Sequence, residues 1–391
     1  MVAIFFLCCG LIALVSLSSA YMTVLWRKLT RSAFSSQTYP PLTILKPLKG
    51  ADDGLRENLL AILQQDHPGY EVIFASADPE DPGLQVAKEL AAFAKNCSVQ
   101  YLTGDWGSGL NPKVRLLRRM VQAASHEWIL ISDSNVRPER NYLASMQIVQ
   151  QRTGAELVHS LLSAAPGRTI GARLEELHLN SWVAASICLS QGLGHPCVIG
   201  KSMLMRRSTL QLAGGLASVQ DILAEDYILG SRIRKLGHQV ALCADPLTVT
   251  TGQCSLQHFL NRHVRWGQMR RRISPFFFLA ELIANPTPFF LTALLLGSQD
   301  IQCLAASGLA VKWLADIGVY LFLGREPQVE TLLLIPLKDL LVPLMWATSA
   351  LRQTVNWRGN KMLIGPGSQL LPLRPSESES LDGVFSHSPT A

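Results

Sequence analysis

Three acidic turns and two cationic groups are the residues whose types and order could do chemistry in this chain. Asp78 and Asp133 each follow directly on an apolar stretch, in Asp78-Pro79-Glu80-Asp81 and Asp133-Ser134-Asn135. Glu225 and Asp226 open an apolar-periodic run, and Arg262, Arg265 and Trp266 form a basic, aromatic cluster after it. Two acids at strand ends can hold a nucleotide. One carboxylate grips the ribose or the uracil edge. The other, with Asn135 as a second oxygen ligand, holds a divalent metal on a diphosphate, because Mg²⁺ or Mn²⁺ takes one or two carboxylates plus phosphate oxygens. A separate acid, Asp226, can act as general base on an acceptor hydroxyl, which is a poor nucleophile until its proton has somewhere to go. Arg262 and Arg265 would neutralise a leaving diphosphate, and Trp266 would wall the acceptor. Lys113, in Asn111-Pro112-Lys113, would reach the diphosphate from the opposite side.

Each of these residues also has a plainer reading. Aspartate favours turns and helix caps. Acids in a first helical turn suit the helix dipole. Arginine and tryptophan gather at membrane interfaces, and Lys113 could be a surface helix lysine. What favours chemistry is the joint, ordered set. A non-enzymatic membrane scaffold or transport component that only binds nucleotide sugars would need the Asp78/Asp133 edge but would have no use for a base at Asp226.

The elements that must position these groups alternate. The patterns predict strands at 42–45, 71–75, 99–102 and 128–132, with helices over 54–65, 84–94 and 113–124 between them. Further strands are expected at 156–162, 202–205 and 240–243, and helices at 171–189, 209–213, 223–236 and 256–272. Alternation of this kind implies βαβ units and a mostly parallel sheet. Ligands bind beyond the carboxyl ends of such strands, the edge where Lys46, Asp78 and Asp133 emerge. No GxGxxG or GxxxxGK[ST] pattern occurs, which argues against a common dinucleotide fold and against a P-loop.

The composition is 48% hydrophobic and only 16% charged, against about 25% charged in an ordinary soluble domain. The deficit concentrates in residues 1–26 and 276–351 and so indicates membrane segments. Residues 2–26 carry no charge, long enough for a bilayer core that needs roughly 20 apolar residues. Ser18-Ser19-Ala20 resembles a signal cleavage site, but the basic residues Arg27, Lys28 and Arg31 follow the run rather than precede it. An anchor is therefore expected, with the next domain cytoplasmic. The net charge of +6 is local, and no zinc-finger or aromatic-interleaved basic repeat supports nucleic acid. The eight cysteines show no CxxC and no disulfide framework.

This yields an anchor at 1–26, a linker at 27–41, a catalytic domain at 42–255 and a basic amphipathic interfacial helix at 256–275. Membrane segments follow at 276–351: 276–297 re-entrant or spanning, interrupted at Asn285–Pro288, then spans at 301–323 and 332–350. Lys312, Asp316, Lys338 and Asp339 inside them should face the protein interior. Residues 352–391 read as a largely disordered tail.

The ordered set Leu45–Gly50, Asp78–Pro82, Asn111-Pro112-Lys113, Ser132-Asp133-Ser134, Val198–Arg206, Ala213–Leu216, Ala224–Tyr227, Arg262-xx-Arg265-Trp266 and Asn356–Gly359 resembles the ceramide glucosyltransferase family along nearly the whole chain. The resemblance implies an α/β nucleotide-sugar domain of the GT-A (Rossmann-like) type flanked by transmembrane helices. It implies inverting transfer of glucose from UDP-glucose to the primary hydroxyl of ceramide. It places Asp226 as base, Lys46, Asp78, Lys113 and Asp133 on the donor, Asp133 and Asn135 on Mg²⁺ or Mn²⁺, and Arg262, Arg265 and Trp266 on acceptor and diphosphate. Asn135 stands where the family often has Gly, and the tail is short. The short loops and the tail suggest a bacterial member in an inner membrane, or a Golgi membrane if eukaryotic. The alternative is a related lipid glycosyltransferase with another UDP-sugar or acceptor, such as a hopanoid.

Overall fold

Residues 1–29, 39–357 and 360–373 are described by the computed structural model. Of the linker expected at 27–41, residues 27–29 end the first helix and residues 30–38 lie outside the described residues, as does the tail beyond 373. Eight strands form one sheet: β1 Leu42–Pro47, β2 Tyr70–Ser76, β3 Cys97–Thr103, β4 Trp128–Ser132, β5 Val136–Arg137, β6 Leu157–Ala164, β7 Ser202–Arg206 and β8 Val240–Val249. Their order is β3-β2-β1-β4-β7-β6-β8-β5.

Side chains alternate across this sheet, as a pleated strand requires. Leu42, Ile44, Val72, Phe74 and Leu130 face one apolar layer with helices α2 (Leu55–Leu63) and α3 (Pro82–Glu89). Leu45, Ile73, Ala75, Ile129 and Ile131 face the other, with α4 (Pro112–Ala123). Burial on both faces explains why these strands read as unbroken apolar runs. Next come α5 (Tyr142–Thr153), α6 (Ile170–His178), α7 (Ala184–Gly192), α8 (Arg207–Leu212) and α9 (Glu225–Lys235). The helix expected at 171–189 is present, but a π-helical turn at Leu179–Val183 interrupts it between α6 and α7.

The sheet is mostly parallel, as expected, but mixed. Ladders β3-β2, β2-β1, β1-β4 and β6-β8 are parallel, whereas β7 runs antiparallel to both β4 and β6, and β5 antiparallel to β8. The reversal matters for the site. It pairs Ser132, at the end of β4, with Ser202, at the start of β7, so the chain entering β7 sits at the edge that Asp133 leaves.

The first helix, α1 (Val2–Leu29), buries Leu17, Ala20, Tyr21 and Val24 in the same layer as β1 and α2, so the anchor is built into the domain it precedes. After β8 come α10 (Leu256–Ile273), α11 (Pro275–Ile283), α12 (Thr287–Leu296), α13 (Gln299–Phe322), α14 (Val329–Leu332) and α15 (Ile335–Leu351). Among the described residues, three stretches, Val2–Arg27, Pro275–Leu296 and Gln299–Phe322, are long and apolar enough to cross a membrane. The second breaks between α11 and α12, at the Asn285–Pro286 interruption. The expected span at 332–350 appears as the 17-residue α15, which carries Pro343 inside it. Helices α1, α12 and α13 meet around Phe290. A Cβ at Gly10 would lie 2.6 Å from that ring and one at Gly308 2.5 Å from it, so both glycines are required for the approach.

The tail needs a correction. Residues expected in a disordered stretch form an antiparallel sheet: β9 (Thr354–Trp357), β10 (Asn360–Ile364) and β11 (Leu370–Pro372). Val355, Met362, Ile364 and Leu370 are buried with Leu223, just before α9. The Ser/Glu-rich composition that suggested disorder begins only beyond these strands.

Candidate active site

Lysines meet carboxylates at the carboxyl edge of the sheet. Asn111 caps α4: its side chain accepts from the Val114 N–H at 3.1 Å and donates to the Ile222 carbonyl at 2.7 Å and to Glu225 at 3.3 Å. Pro112 takes the first helical position, where its missing N–H costs nothing. This fixes Lys113 with its Nζ 2.9 Å from Asp133 Oδ1 and 3.1 Å from Glu225 Oε1, and donating to the Gly200 carbonyl at 3.2 Å. Lys201, entering β7, lies 3.1 Å from Asp133 Oδ2 and donates to Asn135 Oδ1 at 2.6 Å. Lys46 is fully buried on β1. It donates to the Asp133 carbonyl at 2.6 Å and to Ser132 Oγ at 3.1 Å.

Asp226 sits in the first turn of α9. Its carboxylate accepts from the Gly200 N–H and, at 2.8 Å, from the Tyr227 N–H. A Cβ on Gly200 would lie 2.9 Å from Asp226 Oδ2 and 3.0 Å from Lys113 Nζ. Only glycine lets the Asp226 carboxylate, the Lys113 ammonium and the backbone meet here. The loop before α9 is clasped from the C-terminal sheet: Leu223 N–H donates to the Ser368 carbonyl and Ala224 N–H to Ser368 Oγ, at 2.9 and 2.8 Å.

The charges shift one another. Burial raises the Asp226 pKa, partly offset by Lys113. Burial, with Asp226 beside it, also pushes Glu225 up to about 7 against the pull of Lys113. Burial works against the charge on Lys113, but Asp133, Glu225 and Asp226 outweigh it and hold the ammonium well above the ordinary lysine value. Burial likewise opposes the Asp133 charge, and Lys113 and Lys201 overcome it, holding the carboxyl well below the usual range. Burial lowers Lys46 to about 7, with Asp133 opposing.

The other expected residues are placed differently. Asp78 is exposed at the end of β2, its Oδ1 accepting from the Glu80 N–H at 2.9 Å. It shares the edge but, among the described residues, makes no contact with the Asp133 cluster. Asp81, four positions into the same turn, is structural: it caps α3 and accepts from Gly50 N–H at 2.8 Å, tying down the loop after Lys46. Arg262 is paired to Glu175 at 2.8 Å, and His263 meets the other oxygen of the same carboxylate at 2.8 Å. Burial opposes the Glu175 charge, but Arg262 and His263 hold its carboxyl well below the ordinary range. Burial lowers the Lys201 pKa against the pull of Asp133, and Arg262 lies near enough to lower it further. Trp266 packs on the core and stands edge-on to His263, centroids 5.3 Å apart. Arg265 is partly buried on the same helix. The Arg262–Trp266 cluster therefore fastens α10 to α6 beside the lysine edge.

Sequence reasoning gave no site role to Gly200 and Lys201, although both lie in the resembling segment Val198–Arg206, and it missed Glu175. Glu175 carried a signal: two adjacent acids, Glu175 and Glu176, that stay buried in a helix whose other buried residues are mostly apolar.

A family model described as Glycosyl transferase family 21 matches residues 9–370. The chain is similar to Ceramide glucosyltransferase 3 of Caenorhabditis elegans, 23% identical over 381 residues, covering 94% of this chain and 81% of the relative. It is also similar to Ceramide glucosyltransferase 1 of that organism, 25% identical over 246 residues, covering 62% of this chain and 53% of the relative. Among solved structures, the mannosyltransferase of Pyrobaculum calidifontis in complex with GDP-Man and Mn²⁺ superposes with a TM-score of 0.48 at 14% identity, covering 88% of this chain and 96% of that one.

Proposed function

The chain belongs to glycosyl transferase family 21, and from that membership we propose that it transfers glucose from UDP-glucose to the primary hydroxyl of ceramide, inverting the anomeric carbon. The observation that carries this reading is one partly buried carboxylate, Asp226, whose pKa is raised and which lies one lysine away from the strand-end acid Asp133. A hydroxyl nucleophile needs a base poised nearer neutrality than a free aspartate. In the step proposed, the acceptor oxygen forms a bond to the anomeric carbon and its proton passes to Asp226. The bond from that carbon to the diphosphate oxygen breaks, and UDP leaves with the electron pair. Lys113 faces the developing charge from the start of α4. Asp78, exposed on β2 at the same edge, is assigned to the ribose or uracil. Arg262 and Trp266 set α10, and with Arg265 line the acceptor side.

The family resemblance implies Mg²⁺ or Mn²⁺ on Asp133 and Asn135. Both Asp133 oxygens and Asn135 Oδ1 face lysine ammonium groups, so this donor set does not fit a divalent ion. No step above passes through one. The domain at 42–255 is assigned to the cytoplasmic side of the bilayer, supported by Arg27 near the end of α1 and by Arg270, Arg271 and Arg272 in the last turn of α10. A bacterial inner membrane is the compartment proposed.

Membranes containing the protein, given labelled UDP-glucose and ceramide, should form labelled glucosylceramide. Failure to label ceramide, with the donor intact and the protein folded, overturns the acceptor assignment. Replacing ceramide with a hopanoid alcohol in a parallel arm identifies the alternative acceptor.

The pH profile tests the base. Asp226 acts as its carboxylate, so kcat should fall as pH drops through its pKa. Because the folded-state pKa is raised, that acid limb should lie above about 4, the ordinary aspartate value. Lys113→Met removes a charge that lowers the Asp226 pKa and should move the limb to still higher pH. A limb that stays in place on this substitution would separate it from Asp226.

A further inference from the structure

We propose that Lys201, together with Lys113, occupies the place of a divalent metal in this donor site, so that the diphosphate is held and discharged by ammonium groups alone. This rests on the glycosyltransferase reading above. It turns on what surrounds Asp133. The two oxygens of that carboxylate each face a lysine Nζ, Lys113 at 2.9 Å and Lys201 at 3.1 Å, and the neighbouring oxygen that could complete a metal site, Asn135 Oδ1, accepts from Lys201 at 2.6 Å. Among the described residues no group of three His, Cys, Asp or Glu side chains converges elsewhere to hold an ion.

The fold, not a flexible side chain, puts Lys201 there. Ser132 pairs with Ser202 across antiparallel β4 and β7, and the Asp133 N–H donates to the Lys201 carbonyl at 3.2 Å. Lys201 thus lies directly opposite Asp133 in the ladder. A divalent ion between Asp133 and Asn135 would have to expel this ammonium and then sit beside two like charges, with Lys46 behind them at the Asp133 carbonyl.

The two lysines are unequal in what they can still offer. An ammonium has three N–H donors. Lys113 directs its three to Asp133, Glu225 and the Gly200 carbonyl. Lys201 directs two, to Asp133 and Asn135, and keeps 15% side-chain exposure. Its third N–H is available to a phosphate oxygen at the carboxyl edge. Asp133 on this account is a positioning residue that holds two cations, not a metal ligand.

The test is UDP binding, measured by calorimetry on the full chain in detergent, with excess EDTA and with Mn²⁺. The expected result is a Kd that EDTA does not change. Lys201→Met should weaken UDP binding about tenfold or more in EDTA, as loss of a charge-assisted hydrogen bond requires, and Lys201→Arg should recover most of it. If EDTA weakens binding to the unaltered protein about tenfold and Mn²⁺ restores it, the proposal is wrong while the donor reading stands. An unaltered Kd in a folded Lys201→Met variant also overturns it. If the unaltered protein binds no UDP in either buffer, the donor reading falls and takes the proposal with it. The EDTA comparison needs no variant, so a misfolded Lys201→Met does not blunt the test.

Discussion

Asp226→Asn should lower kcat by about 10²–10⁴-fold, the usual contribution of a positioned general base, while UDP still binds. The substitution is nearly isosteric, so Gly200 keeps its space. It does remove one of two acceptors, because the asparagine oxygen can serve either the Gly200 N–H or the Tyr227 N–H but not both. That loss costs about 1–3 kcal/mol of local stability and should show as a lower melting temperature, separate from the loss of turnover. The sharper control is Glu225→Gln. Glu225 has the pKa of about 7 that a base would want. Its oxygens, however, are committed to Lys113 at 3.1 Å and to Asn111 at 3.3 Å, and the residue is only 6% exposed. Asp226 is the more exposed member of the pair and makes only backbone hydrogen bonds. Turnover measured at saturating donor should therefore collapse in Asp226→Asn and fall much less in Glu225→Gln. The reverse order assigns the base to Glu225, and equal losses point to an electrostatic role shared by the pair.

How much of this was legible beforehand depends on what kind of signal a residue leaves. The strands β1, β2 and β4 announce themselves as short apolar runs, and the acids after β2 and β4 could be placed at the sheet edge because a parallel strand sends its carboxyl end there. Asn111-Pro112 marks the start of α4, and with it Lys113, through ordinary capping chemistry. Lys201 lies in the resembling segment Val198–Arg206, but nothing in the pattern of that segment places its side chain at Asp133. Its importance comes from the direction of β7, and strand direction is a property of pairing, which residue pattern alone does not carry. Glu175 is similar: its partners, Arg262 and His263, are 87 and 88 positions away. The C-terminal sheet was hidden by averaging, because its few buried residues, Val355, Met362, Ile364 and Leu370, were read together with the Ser/Glu-rich stretch that follows. The four charges in the apolar helices α13 and α15 were the opposite case. Their expense in lipid predicts that they turn inward, and all four are 2% exposed.

Those four charges support the second large effect. Asp316→Ala should destabilise the protein by about 3–5 kcal/mol, the cost of breaking a buried ion pair from one side. Asp316 on α13 meets Lys312 at 2.7 Å and Lys338 at 2.6 Å and also accepts from the Tyr21 hydroxyl on α1. Asp339 on α15 completes the set. It meets both lysines and accepts from Thr287 Oγ1 at 3.1 Å, where α12 begins. Two acids and two lysines are neutral together, so deleting one acid leaves a net positive charge with no water to solvate it. Lys338 further donates to Ser181 Oγ at 3.3 Å, in the π-helical turn of the sheet domain. The cluster therefore ties α1, α12, α13 and α15 to the helix that carries Glu175. In detergent the melting temperature should drop by about 5 °C or more. Removing the exposed partner Arg56, 2.8 Å from Glu89, should shift it by no more than the roughly 0–1 kcal/mol typical of surface pairs. The decisive variant combines Asp316→Leu with Lys312→Met. It restores neutrality without restoring the ion pair, and a well-packed apolar replacement of a buried pair is often neutral or stabilising. Recovery of the melting temperature in that double variant identifies charge balance as what the cluster supplies. A double variant as unstable as Asp316→Ala would assign the loss to the hydrogen bonds of Asp316 with Tyr21 and Lys338 instead.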